Sequence, residues 1–208
     1  MYVPPFNAMD DAELRSIVDA VGSAELITVG DDGFPVATRL PVLWHKDRLV
    51  LHMAFANPHW RGITDGAPAL AVVTGPEAYI SPSWYAAKDE HGRVVPTWNY
   101  SAVHFTGLAT VHRDPEWLRT AVTELTDLHE GRRPAPWAVT DAPETYVEQQ
   151  LKAIVGVELA IQTVEGKAKR SQNRSDADRT GVVAGLREDG GARDLAMADQ
   201  MEHDLEDG

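Results

Sequence analysis

Three separated segments carry the side chains with which this sequence could do chemistry: residues 52–60, 96–104 and 166–174. The first joins an expected strand to the start of an expected helix, where free N–H groups and the helix dipole suit an anion such as phosphate. The third is dense in hydrogen-bond donors that suit phosphate, carboxylate or carbonyl groups. Each segment alone is equally compatible with a structural role, as a capped helix, an aromatic core stripe or a solvated basic turn.

The side chains of the first two segments indicate which ligands these segments could bind. Asn57 and His59 could donate hydrogen bonds to an anion at the helix start. In the second segment a strand places Trp98, Tyr100 and His104 on one face, where two rings and an imidazole could stack on a flat ligand. We therefore take Tyr100 and His104 as candidate proton-transfer or polarising groups.

Known catalytic and metal signatures are missing from the sequence. The histidines, including His52, His59 and His104, lack the H-E-x-x-H spacing of hydrolytic zinc sites, and there is no cysteine. No G-x-S-x-G elbow, Walker A loop or G-x-G-x-x-G turn is present. We expect no metal site, unless His59 is the axial ligand of a bound haem.

Composition excludes some classes of function. The 208 residues carry a formal net charge of −13, which opposes tight binding to the phosphates of DNA, although Lys167, Lys169, Arg170 and Arg174 form a small basic cluster. The N-terminus has no basic region followed by a long apolar run, and no apolar run is long enough for a bilayer. We expect a cytoplasmic protein that does not enter membranes.

Hydrophobic periodicity predicts the elements that position the three segments. A meander of short antiparallel strands near the N-terminus favours a β-barrel or sandwich over a βαβ fold. The predicted strands are Ala24–Val29, Phe34–Leu43, Arg48–Met53, Ala69–Thr74, Val94–His112 and Ile154–Val164. The predicted helices are Asp10–Val21, Asn57–Thr64, Asp114–Glu130, Pro143–Lys152 and Ser175–Leu186. Residues 1–186 are expected to form one domain, and the polar, acidic residues 187–208 a mobile tail or marginal helix.

Taken together and in this order, the segments resemble the PaiB family of flavin-binding split-barrel proteins. The resemblance covers nearly all of the chain up to about residue 186, and the acidic tail lies outside it. The matching stretches are Met1–Pro4, His52–Trp60, Gly75–Pro76, Ala78–Tyr85, Pro96–His104, Ile154–Gly156 and Gly166–Arg174, which carries Ser-Gln-Asn-Arg.

The resemblance implies a fold and a cofactor. The fold is a mainly β (α+β), six-stranded antiparallel split barrel with peripheral helices, similar to pyridoxamine 5'-phosphate oxidase, usually a homodimer with FMN at the subunit interface. The third segment would then reach the flavin of the partner chain. The implied cofactor-binding residues are Thr38, Arg39, His52, Ala54, Asn57, His59, Trp98, Lys169, Ser171 and Gln172.

The resemblance also implies a choice of functions. The family name carries negative transcriptional regulation, and a flavin-based redox or ligand sensor is physically easier to reconcile with the acidic charge. An FMN- or deazaflavin-dependent oxidoreductase acting on a small molecule is the first alternative. The second is a haem enzyme resembling piperazate synthases, which share the Asn-Pro-His-Trp stretch at residues 57–60 and would use His59 as axial ligand.

Overall fold

A computed structural model describes residues 1–206 of the chain. Its six strands are hydrogen-bonded in the order β1-β2-β3-β6-β5-β4 and close into a barrel, as the predicted fold class requires. The strands are β1 (Ser23–Val29), β2 (Pro35–Trp44), β3 (Arg48–Ala54), β4 (Ala67–Ile80), β5 (Thr97–His112) and β6 (Ile154–Lys169). The helices are α1 (Asp11–Val21), α2 (Ala87–His91), α3 (Pro115–Glu130), α4 (Glu144–Leu151), α5 (Asp176–Asp189) and α6 (Ala192–Glu206).

Antiparallel register holds the barrel strands together. Leu26 of β1 lies opposite Thr38 of β2 on one side and opposite Ala71 of β4 on the other. In β3, Leu51 lies opposite Val157 of β6. Because successive side chains of a strand point to opposite faces, this register directs Leu26, Leu51 and Val157 into the core.

The chain divides into two compact units. Unit 1 contains Met1–Val21, Thr74–Val103 and the residues from Glu165 onward. Unit 2 contains Gly22–Val73 and His104–Val164. Within residues 1–206 no helix is long and apolar enough to cross a membrane.

Helix α1 in unit 1 forms where its sequence signals place it. The Asp10 carboxylate accepts a hydrogen bond from the Glu13 N–H at 2.9 Å, which caps the first turn. Leu14, Ile17 and Val18 recur on one face and are buried. The predicted helix Asp10–Val21 is therefore confirmed to within one residue.

A separate cluster in unit 2 holds α3 and α4. Asp114 caps α3 by accepting hydrogen bonds from the N–H groups of Glu116 and Trp117. The buried side chains are Leu118, Val139, Val147 and Leu151. These contacts fix the start of α3 and the end of α4 as a rigid pair.

The C-terminal residues form helix where the sequence predicted a mobile tail or a marginal helix over residues 187–208, of which the last two lie outside the described residues. Helix α5 continues to Asp189, and residues 192–206 form α6. Met197, Ala198 and Met201 of α6 are fully buried, in a cluster that includes Leu186 of α5. The polar sequence of this helix concealed three buried positions at helical spacing, and their burial stabilises it.

Candidate functional site

A buried imidazole is the centre of the polar network in unit 2. The side chain of His59 is only 6% exposed, and its Nε2 lies 2.9 Å from Thr28 Oγ1 while its Nδ1 lies 2.8 Å from Thr38 Oγ1. The side-chain oxygen of Asn57 accepts a hydrogen bond from the His59 N–H at 3.0 Å and so caps the short 3-10 helix Pro58–Gly62. Thr38, Asn57 and His59, three predicted site residues, are thus brought together.

The surroundings of His59 favour its neutral form. A neutral imidazole can donate from one ring nitrogen to a threonine hydroxyl and accept from the second hydroxyl at the other. Burial lowers the pKa of His59 below its ordinary value of 6.5, which favours the same neutral form. The ring therefore fixes Thr28 and Thr38 relative to the start of the 3-10 helix.

Arg39 and Ala54 lie at the surface of unit 2. The Arg39 side chain is 63% exposed, and its guanidinium donates to Ser23 Oγ at 3.0 Å and approaches the Glu25 carboxylate at 3.5 Å. Such an exposed pair contributes little stability, so an anionic ligand can compete for the guanidinium. Ala54 is also exposed, at the end of β3.

His52 lies elsewhere in unit 2. It lines a largely apolar cavity of about 240 Å³ between β3, α3 and α4, with Trp137 and Tyr146 among the lining residues. None of these residues lines the cavity of about 300 Å³ beside His59. Burial lowers the pKa of His52, so its ring too is neutral near neutral pH. The structure does not bring His52 to the network of His59.

The second and third predicted segments meet in unit 1, where they line a cleft of about 350 Å³. Among residues 1–206, three cationic side chains line it, Lys167, Lys169 and Arg174, and no carboxylate does. The polar lining residues are Asn7, Thr97, Asn99, Ser171 and Asn173, and the aromatic ones are Tyr2, Phe6 and Tyr85. Donors and rings of this kind suit an anion attached to a flat ring.

Lys169 is the most constrained cation of the cleft. Its ammonium donates to Thr97 Oγ1 at 2.5 Å and to the Trp98 carbonyl oxygen, both neutral acceptors. Burial, and secondarily the charge of Lys167, lower the pKa of Lys169. Its charge is therefore incompletely compensated, and an anion placed beside it would be stabilised.

The other two cations lie against tyrosine rings. The Lys167 ammonium is 5.4 Å from the centre of the Tyr100 ring, and the Arg174 guanidinium is 4.9 Å from that of Tyr85. Among residues 1–206, none of the three cations forms an ion pair. Cation–π contacts orient these groups without neutralising them.

Ser171 lies at a strained turn beside the cleft. Its φ of 64° is in the left-handed region, which is rare for a residue other than glycine. Its hydroxyl is buried and hydrogen-bonded to the side-chain amide of Asn99, with Nδ2 at 3.1 Å. Strain of this kind is commonly held at binding sites by the surrounding structure.

Gln172 and Arg170 hold that turn from inside the protein. Gln172 accepts from the Arg170 N–H at 2.8 Å and donates to the Ala168 carbonyl oxygen at 2.6 Å. The buried Arg170 side chain forms ion pairs with Glu13 and Asp204. Both polar ends of Gln172 are engaged, so its role in the structure is to shape the turn. Arg170, which sequence analysis counted with the basic cluster, ties α1 to α6 instead.

The remaining candidate residues of the second segment, Trp98, Tyr100 and His104, do not lie at one place. Trp98 is 51% exposed and meets the edge of Tyr79, with ring centres 6.2 Å apart. Tyr100 belongs to unit 1, whereas His104 belongs to unit 2. Sequence analysis missed Asn99, which strand alternation assigned to the face opposite Trp98 and which proves to be fully buried.

A family comparison matches most of the chain. The family model described as "Putative FMN-binding domain" matches residues 1–163. The protein named Protease synthase and sporulation protein PAI 2, from Bacillus subtilis, is 32% identical over 210 residues, which cover 99% of this chain and 98% of that protein.

The chain belongs to the PaiB family of FMN-binding split-barrel proteins.

An uncharacterised protein from Aspergillus fumigatus is similar to the PaiB-type chain over a shorter range. It is 39% identical over 133 residues, which cover 56% of this chain and 51% of that protein. The family model ends before the cleft segment that begins at residue 166, whereas the Bacillus protein aligns through it.

Solved structures share the fold of this PaiB-type chain. A FAD- and haem-binding protein from Mycobacterium smegmatis superposes with a TM-score of 0.60 at 22% identity, covering 89% of this chain and 80% of that one. A conserved hypothetical protein from Mycobacterium tuberculosis gives a TM-score of 0.61 at 16% identity, covering 84% and 94%. These likenesses concern the fold.

Proposed function

We propose that this protein binds FMN as a homodimer and acts as a flavin-based redox or ligand sensor in negative gene regulation. The observation that carries the proposal is the cleft of unit 1, where Lys167, Lys169 and Arg174 lie in a lining to which the described part of the chain contributes no carboxylate. In a chain of net charge −13, such a concentration of unpaired cations calls for an anionic ligand.

The donors of the cleft fit a flavin mononucleotide. Its phosphate could accept hydrogen bonds from the three cations, including Lys169, whose ammonium donates to two neutral oxygens in the protein. Its flat ring matches the aromatic side chains Tyr2 and Tyr85. The buried Ser171 hydroxyl and the Asn99 amide offer neutral hydrogen-bonding groups beside them.

Unit 2 offers a second set of groups. Thr38 and Arg39 on β2, with Ala54 and Asn57 after β3, correspond to the residues that the family resemblance assigns to the flavin. Among residues 1–206 the exposed Arg39 guanidinium has one weak ion pair, with Glu25, so it remains available for phosphate. In a homodimer, we propose, these residues of one chain and Lys169 and Ser171 of the other hold the same FMN, while Gln172 shapes the turn that carries Ser171.

When bound, FMN supplies reversible one- or two-electron transfer. The chain's own residues bind and orient it. Lys169 neutralises charge, while Thr38 is held in one rotamer by His59. Gln172 keeps the Ser171 turn in its strained form.

The geometry of His59 opposes the haem alternative. An axial ligand needs one ring nitrogen free for iron. Both nitrogens of His59 are hydrogen-bonded to threonine hydroxyls, and the ring is buried. Haem binding at His59 would require one of these bonds to break.

Reconstitution tests the cofactor. Protein that is incubated with FMN and then desalted should retain absorbance bands at about 370 and 450 nm, as protein-bound flavins do. Lys169→Ala combined with Ser171→Ala should weaken FMN binding at least about tenfold, equivalent to about 1.4 kcal/mol. Lys88→Gln, an exposed lysine of unit 1 that does not line the cleft, is the matched control. Unchanged affinity in the double variant would remove the cleft from the flavin site.

The regulatory role needs a separate experiment. The relative's name refers to protease synthesis and sporulation, whereas the acidic charge of this chain opposes direct DNA contact. A gel-shift assay on the DNA upstream of its own gene, with oxidised and reduced flavin, tests whether the protein is a DNA-binding repressor or an oxidoreductase. A salt-sensitive shift supports a repressor, and turnover of a reduced nicotinamide without any shift supports an oxidoreductase.

A further inference from the structure

A further cavity of unit 2 is lined by neither set of flavin candidates. It has a volume of about 600 Å³ and lies between the start of α3 and the end of α4. Its apolar wall consists of Phe55, Leu118, Leu151 and Ile154. The volume is in the range of pockets that enclose small organic ligands, which is about 300–1,000 Å³.

Arg113 lines this cavity and is held by aromatic rings. Its guanidinium carbon is 5.2 Å from the centre of the Phe55 ring and 5.5 Å from that of Trp60. The two rings are themselves in contact, with centres 5.2 Å apart. The arginine is thereby positioned at the cavity without an acidic partner, because none of the ion pairs within residues 1–206 includes it.

Among the described residues, the lining holds three cationic side chains, Arg113, Arg119 and Lys152, and two carboxylates, Glu116 and Glu148. Lys152, just after α4, likewise forms no ion pair among residues 1–206. Arg119 is already paired with Glu144, outside the lining. Glu116 and Glu148 are exposed to solvent, as are Arg113 and Lys152, so water screens all four charges. Arg113 and Lys152 are the cations of the lining that form no ion pair among residues 1–206, and Arg113 is in addition positioned by the rings of Phe55 and Trp60.

We infer that this cavity binds an amphipathic monocarboxylate. Its apolar body would lie against Phe55, Leu118, Leu151 and Ile154, and its carboxylate would accept hydrogen bonds from Arg113 and Lys152. Guanidinium and ammonium groups form charge-assisted hydrogen bonds with a carboxylate, and burying a hydrocarbon or aryl body against the apolar wall is favourable. None of the flavin candidates lines this cavity.

Calorimetric titration with octanoate tests the inference, with acetate, octylamine and octanol as comparison probes. Octanoate should bind at least about tenfold more tightly than each of them, since only octanoate has both the carboxylate and the apolar chain. Combining Arg113→Gln with Lys152→Gln should weaken octanoate binding about tenfold. Lys46→Gln with Arg132→Gln removes the same two charges at exposed positions of unit 2 and should leave binding unchanged.

The outcomes separate this site from the flavin site. Flavin retention by absorbance should be the same in the Arg113/Lys152 variant as in the parent protein, whether or not the flavin proposal holds. Octylamine binding as tightly as octanoate would overturn the inference. Equal loss of octanoate binding in the control variant would also overturn it, because it would show a general charge effect.

Discussion

The ring of His59 is buried between two hydroxyl groups and is therefore kept neutral. Because burial lowers its pKa, the folded protein accepts a proton at this ring only below the ordinary value of 6.5. The unfolded chain accepts that proton first as the pH falls. Stability from this group is thus complete above about pH 6.5 and decreases as the pH falls toward the lower pKa of the folded state.

Replacing His59 should change the pH dependence of unfolding. For His59→Gln we expect a lower unfolding free energy at neutral pH, by about 1–3 kcal/mol, because the threonine hydroxyls lose a matched partner. The decrease in stability between about pH 7 and pH 5 should also become shallower. Urea denaturation at a series of pH values measures both effects. His91→Gln, at an exposed position of α2, should keep the parental slope, and an unchanged slope in His59→Gln would contradict the argument.

Lys169 should impose an upper pH limit on flavin binding. Its pKa is lowered by burial and by Lys167, so it loses its charge at a lower pH than an ordinary lysine. FMN affinity should accordingly fall as the pH rises through that lowered pKa. Lys169→Arg should retain affinity to higher pH, because a guanidinium stays protonated. Fluorescence titration of FMN across the alkaline range measures this, and identical profiles would exclude Lys169 from the phosphate site.

At the level of the elements, capping residues and hydrophobic periodicity predicted the presence of each helix and strand more accurately than the residue at which it ends. Asp10, Asp114 and Ser175 cap helices where capping residues predict them. The predicted strand Ala69–Thr74 ends too early, since β4 continues through Gly75 and Pro76 to Ile80. These residues suggest a turn, but barrel pairing overrides local propensity.

In the candidate site, the sequence could predict only contacts between residues that are close together in the chain. Asn57 and His59 are two residues apart, and their contact follows from helix capping. The cleft partners Asn99 and Ser171 are 72 residues apart, and no periodicity reveals such a contact. His52 has the same residue type as His59 but lines a different cavity, because it belongs to β3 whereas His59 belongs to the 3-10 helix that follows.

Helix α6 should contribute to stability. Met197 and Met201 are fully buried against α5, where Gly185 allows the Trp84 indole to approach closely. Met197→Ala and Met201→Ala should each lower the unfolding free energy by about 2–5 kcal/mol, because each leaves a cavity. Arg193→Ala, whose side chain is exposed and paired only with Glu77, should cost about 0.5 kcal/mol or less. Urea denaturation provides the comparison, and equal costs would show that α6 is loosely attached.

Across the whole molecule, exposed apolar side chains indicate where a second copy would bind. Val29, Phe34 and Val36 surround the turn of the β1–β2 hairpin and are 65%, 71% and 37% exposed. Residues 35–37 of β2 are exposed on both faces of the strand. We propose that these three apolar side chains form part of the homodimer contact. The same strand carries Thr38 and Arg39, so a partner on this hairpin would lie beside these flavin candidates.

A double substitution on the hairpin should separate the proposed dimer. Phe34→Asp with Val36→Lys removes apolar contact area and places charges at the contact, so sedimentation equilibrium should show a single-chain mass where the parent shows twice that mass. FMN affinity should fall in parallel, because the proposed site needs both chains. Tyr146→Asp, at a similarly exposed aromatic position on α4, is the control and should remain dimeric. A monomeric parent that binds FMN with full affinity would refute the shared site, since one chain would then suffice to hold the flavin.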